Sequence, residues 1–168
     1  AIITIFSFQS FASNTDNSFY IGASYLNAET KYLWDENDDN GYDVKVGYSI
    51  SKYFSVEAGY QDLGTFTWSN KSFEGGGAFD SDAYYLSTIV AYPINDFSFY
   101  VELGYQWVER EGDIYTMVGV NPPYSSEDSS LIKGVGVSYH LTNNVDLSIG
   151  YSDSSLYSWG SAGLKIWF

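Results

Sequence analysis

The chain contains no cysteine, one histidine, three prolines and seven basic residues among 168. Without cysteine there is no disulfide, no thiolate nucleophile and no Cys-ligated zinc. Seven Lys and Arg against 21 Asp and Glu leave a net charge of −14, and no segment gathers the positive charge needed to neutralise a phosphate backbone. Nucleic acid is therefore excluded as an expected partner. Charged residues make up 17% of the chain, below the roughly 25% typical of soluble domains. No stretch approaches the ~18 consecutive apolar residues of a spanning helix, so a membrane crossing here requires strands. Aromatic residues, in contrast, are abundant at 20%, led by seventeen tyrosines. The length suits one domain, because two halves would each bury a poor core.

Ala1 to Ala12, AIITIFSFQSFA, is apolar in its first half and ends in Ser10-Phe11-Ala12, with small residues at the two positions read by signal peptidase. The polar segment Ser13 to Asn17 follows. Residues 1–12 read as the remnant of a secretory signal peptide with cleavage expected after Ala12, leaving residues 13–168 as one β-barrel domain.

From Phe19 onward the dominant pattern has period two, which sends successive side chains to opposite faces of a strand. Phe19, Ile21, Ala23 and Tyr25 alternate with Tyr20, Gly22, Ser24 and Leu26. Tyr42, Val44, Val46, Tyr48 and Ile50 alternate with Asp43, Lys45, Gly47 and Ser49. Phe54, Val56, Ala58 and Tyr60 continue the pattern after a tight turn at Ser51 to Tyr53. Further strands are expected at 84–92, 97–107, 135–141, 145–151 and 161–168, about eight in all, the minimum for an outer-membrane barrel. Links alternate in length: short at 51–53, 93–96 and 142–144, long near 28–40, 66–81, 108–130 and 153–158. An up-and-down barrel with short periplasmic turns and long outer loops has this rhythm.

Period two does not by itself decide which face is wet, since a soluble lipocalin-like carrier also alternates, with its apolar residues inward. Here the polar phase holds mainly Gly, Ser and isolated charges that fit a narrow lumen. The other phase carries bulky Tyr, Phe, Leu and Val, which places lipid outside. Phe54, Phe97, Tyr92 and Tyr139 fall near one rim, and Tyr25, Tyr42, Tyr84 and Trp107 near the other, as girdles at the headgroup level do.

Gly41 to Gly64, GYDVKVGYSISKYFSVEAGYQDLG, resembles the second and third strands of the OmpA-like transmembrane domain family. DAYYLSTIVAYPI from Asp82 and FYVELGY from Phe99 are similar to its fourth and fifth strands. The resemblance implies an all-β, eight-stranded antiparallel transmembrane barrel in the Gram-negative outer membrane. Its surroundings would be outer-membrane lipid and lipopolysaccharide. The C-terminal run Gly163, Leu164, Lys165, Ile166, Trp167, Phe168 resembles the insertion signal recognised by the barrel assembly machinery, with Gly163, Leu164, Ile166 and Phe168 carrying the likeness. Ile166 departs from the aromatic more usual there.

Lys45, Glu57, Glu102 and Lys165 all fall in the inward phase. Isolated charges in a poorly hydrated interior are costly, so these four are expected to pair into a salt-bridged core. Glu57 and Glu102 match inward Glu positions of the family, and the resemblance implies that such pairs can gate a narrow conduit. The bland reading is a plug.

The first outer loop, Asp35 to Gly41, fails as an EF-hand, because Asn40 stands where Gly belongs and the closing Glu is absent. A solvated acidic tip is expected, with weak divalent bridging to lipopolysaccharide phosphates as the alternative; Lys133 near the outer rim could meet such a phosphate. Glu74-Gly75-Gly76-Gly77 is expected to be a flexible loop, and Asn121 to Tyr124 either a rigid edge or a turn. The single histidine, His140, lies inward at the periplasmic rim and is expected to be a satisfied lumen residue. No catalytic, cofactor or metal site is expected. The leading functional expectation is a structural and surface-interaction barrel with ligands reached through its outer loops. A narrow gated ion or small-solute channel comes second, and a soluble carrier last.

Overall fold

A computed structural model describes residues 18–31, 38–70, 75–116, 119–120 and 124–168. The strands among them are β1 (Ser18–Thr30), β2 (Asp38–Ser51), β3 (Phe54–Asn70), β4 (Gly75–Ile94), β5 (Phe97–Thr116), β6 (Gly119–Val120), β7 (Tyr124–Thr142), β8 (Val145–Asp153) and β9 (Tyr157–Trp167). Sequence neighbours pair antiparallel around the wall, β5 pairs β7, and β9 returns to β1, with Ala23 opposite Leu164. Eight strands thus close a barrel without edges, and β6 is a two-residue ribbon folded onto the end of β5.

Closure satisfies the backbone polar groups that an open edge would leave unpaired in hydrocarbon. Along β1 burial alternates at every residue from Ser18 to Thr30. The bulky phase points out: Val44, Leu103 and Leu147 are 46%, 58% and 42% exposed, while Glu57 is 3% exposed. This arrangement, with hydrocarbon-facing bulk and an inward-facing acid, rules out the soluble-carrier reading. Two aromatic rims ring the outside, Tyr60 stacking on Tyr84 at 5.4 Å near the outer one and Phe97 on Tyr139 at 5.0 Å near the inner.

Much of what was expected as long loops is strand. Phe66 to Asn70 continues β3, Gly75 to Ser81 opens β4, and the 108–130 stretch includes the ends of β5 and β7. Gly75, Gly76 and Gly77, expected in a flexible loop, pair with Asn70, Ser69 and Trp68. The reason is that antiparallel pairing continues above the bilayer, where polar residues suit a wetted ribbon; a hydrophobicity pattern marks where strands are buried in lipid, not where they stop. A bulge between Asp62 and Gly64, with Gly64 at φ 95°, inserts one residue so that Leu63 and Phe66 both turn inward. The expected signal remnant, Asp35 to Asn37 and Asn121 to Pro123 lie outside the described residues.

Candidate functional site: the closed lumen

The lumen has three storeys. Nearest the short turns, β7 and β8 set His140 and Asp146 side by side, with Nδ1 of His140 at 2.6 Å from the carboxylate. The other oxygen of Asp146 accepts from the Trp167 indole at 2.8 Å, and Ser98 Oγ lies 3.4 Å from His140 Nε2. The order Ser, His, Asp is that of a hydrolytic relay. Here the carboxylate is shared with a buried tryptophan, so the cluster ties the β7–β8 turn to the closing strand.

The middle storey is ionic. Lys165 Nζ lies 2.5 Å from Glu57 Oε1, and Lys45 Nζ lies 4.0 Å from the other oxygen and 3.1 Å from Asp43. Tyr20 donates to Glu57 at 2.6 Å and Tyr85 to Asp43 at 2.7 Å. Glu102, the fourth of the expected cluster, faces the same cavity but accepts from Ser87 and Ser152, each at 2.8 Å. Both lysines thus converge on Glu57, whereas Glu102 is held by hydroxyls. Asp43 was missed as a partner although it shares the phase of Lys45; that phase was the available signal. Also missed were the inward tyrosines 20, 85 and 100. Inward glycines make their room: a Cβ on Gly47 would sit 2.1 Å from the Tyr20 ring, and one on Gly136 2.4 Å from Tyr100.

The outer storey departs from the expected polar interior. Leu26, Leu63, Phe66, Ile132, Leu156 and Trp159 are each at most 3% exposed and belong to one apolar cluster across the bore. Beside it Arg110 donates to the Tyr157 hydroxyl and to Asp128, both at 2.8 Å. The strands here rise past the aromatic rim, and their inner faces pack as the core of a water-soluble domain would.

On the exterior, cross-strand register joins Asp62, Asp82, Glu109 and Glu127 in one row over four neighbouring strands, with Asp80 opposite Glu111 beyond it. Asp39 is taken up locally, accepting from the Thr65 amide at 2.6 Å. Lys31 pairs with Asp153, and exposed Lys133 stands opposite Asp153 in the β7–β8 register. Among the described residues no group of three or more His, Cys, Asp and Glu forms a metal cage. Leu164 and Ile166 in β9, and Phe168 just beyond it, are exposed on the outside; Gly163 has its Cα side against Ser24 of β1.

A family model for the outer membrane protein beta-barrel domain matches residues 1–166. No curated protein sequence matches the chain. Among solved structures, Ail, the attachment invasion locus protein of Yersinia pestis crystallised with the heparin analogue sucrose octasulfate, is similar at 17% identity. Its TM-score is 0.66, covering 92% of this chain and 100% of that one. Neisserial surface protein A is similar at 19% identity and a TM-score of 0.64, over 95% and 100%. The N-terminal barrel of Pseudomonas aeruginosa OprF is similar at 10% identity and 0.62, over 94% and 99%. At these identities the likeness is one of fold.

Proposed function

Because the chain belongs to the outer membrane protein β-barrel domain family and so resides in the bacterial outer membrane, we propose that it is a closed barrel for surface interaction rather than for transport. The observation that carries this reading is the apolar storey. Water and ions cross a bore only where polar groups replace their hydration; here Leu, Ile, Phe and Trp side chains fill the layer, and the polar groups beside them are tied to one another, Gln106 to Ser130 and Ser154 and the Tyr157 hydroxyl to Ser81 and Arg110. The gating role that the family resemblance attaches to the salt bridges is therefore secondary: breaking them leaves the outer seal in place. Purified barrel in planar bilayers is expected to stay silent, and steady unitary currents through the wild-type protein would overturn the reading.

Interaction is then the task of the extended strands and their loops. Ail was crystallised with a polysulfated sugar. This exterior, with Asp80, Asp82, Glu109, Glu111 and Glu127 outward, repels such a polyanion, and a cationic partner fits it better. The same acids stand where lipopolysaccharide phosphates lie, so lipid contact there goes through bridging divalent ions or through Lys133. Catalysis has no part in this reading. The outward Leu164 and Ile166 of the final strand, with Phe168 just after it, serve recognition by the barrel assembly machinery, and the mature chain begins after Ala12.

A further inference from the structure

The middle storey carries a surplus negative charge. Asp43, Glu57 and Glu102 face Lys45 and Lys165 around one small cavity of about 20 Å³. Three carboxylates against two ammoniums leave one charge uncompensated in an interior where an isolated ion costs several kcal/mol. Glu102 is the acid without a lysine in contact, and both its oxygens accept from serine hydroxyls, the arrangement an ionised carboxylate takes. A second observation points into the same space. Gln61, 4% exposed and cross-strand partner of Asp43, lines the cavity with an Oε1 that has no hydrogen-bond partner.

We propose that this cavity binds one small monovalent cation, of sodium or potassium size, held by Gln61 Oε1 and the Asp43 and Glu102 carboxylates directly or through one water. The volume admits a water-sized occupant and little more. An oxygen set of carboxylates and an amide carbonyl suits hard cations, and a single surplus charge calls for a monovalent one. Access is from the periplasm. The mouth cavity beside His140 and the inner cavity share Ile89, Tyr100 and Lys165 as their common wall, while the apolar storey closes the far side. The barrel is on this view a blind vestibule with a cation at its inner end. The inference rests on the closed outer end proposed above, but it fails separately: cation binding is read in detergent, the seal by conductance.

The test uses the folded barrel in detergent micelles with EDTA, in sodium, potassium or choline chloride at equal ionic strength. Sodium or potassium is expected to raise the unfolding midpoint over choline, by about 3–6 °C at a free cation concentration ten times Kd. Sodium-23 resonance should broaden with the protein present. Glu102→Gln, which removes the surplus charge, and Gln61→Leu, which keeps the charge but lacks the ligand oxygen, should each abolish both effects. A paired Asp80→Asn, Asp82→Asn variant should keep them. Identical midpoints in all three salts, with carbon-13 shifts showing Glu102 protonated at pH 7, would overturn the proposal in favour of a buried proton. Loss of the effect only in the Asp80/Asp82 variant would overturn it in favour of exterior ion binding.

Discussion

Glu57 holds more of the lumen together than any other side chain in its storey, since two lysines and the Tyr20 hydroxyl converge on it. Glu57→Ala leaves two ammoniums buried with diminished compensation, and breaking such a pair typically costs about 3–5 kcal/mol. A lower urea midpoint for unfolding from detergent is the expected readout. Lys45→Ala should also destabilise, because it leaves Asp43, Glu57 and Glu102 facing Lys165 alone. A wild-type urea midpoint for Lys45→Ala would contradict the geometry. Gly47→Ala tests the same network from the wall: its Cβ meets the Tyr20 ring at 2.1 Å, so Tyr20 must leave Glu57 or the strand must shift. It should destabilise by about 1–3 kcal/mol, the usual cost of overpacking.

At the scale of elements, β9 both closes the barrel and carries the outward residues read as an insertion signal. These two roles separate experimentally. Phe168 is exposed at the rim and its amide donates to Phe19 at 2.8 Å, a bond that survives side-chain truncation. Phe168→Ala should therefore lower the amount of barrel reaching the outer membrane several-fold in cell fractionation, yet leave the refolded protein's urea midpoint within about 0.5 kcal/mol of wild type. The hairpin extensions are equally separable. Excising residues 113–125 and joining the ends removes ribbon above the Arg110–Asp128 pair. The heat-modifiable shift on gels should persist, because the membrane-level register from Phe97 to Trp107 against Ser129 to Tyr139 is untouched.

Across the whole molecule, the order of storeys decides what passes. If the apolar layer is the seal, a Leu26→Ser, Ile132→Ser double variant should show measurable conductance, whereas Lys45→Ala should remain silent in the same bilayers. The reverse result would place the gate in the ion cluster. The surface is likewise a property of the whole: acids from β3, β4, β5 and β7 form one row only because the barrel brings those strands into register.

Period two, the alternation of short and long links and the phase of bulk against glycine and serine were enough to read an eight-stranded barrel with lipid outside. Each is a local property, and a one-residue slip would turn every side chain to the wrong face. The inward phase of Lys45, Glu57, Glu102 and Lys165 was legible for the same reason. Their partners were not. Glu57 meets Lys165 from 108 residues away, a choice made by closure of β9 on β1 and by the stagger of the strands. The reach of the strands above the membrane is not legible in the sequence because wetted ribbons carry no hydrophobic alternation, and the bulge at Gly64 breaks the phase that remains. The apolar storey is the largest such case: Leu26, Phe66, Ile132 and Trp159 sit in four strands' separate patterns and meet only once the wall has closed around one axis, and only there do they become a seal.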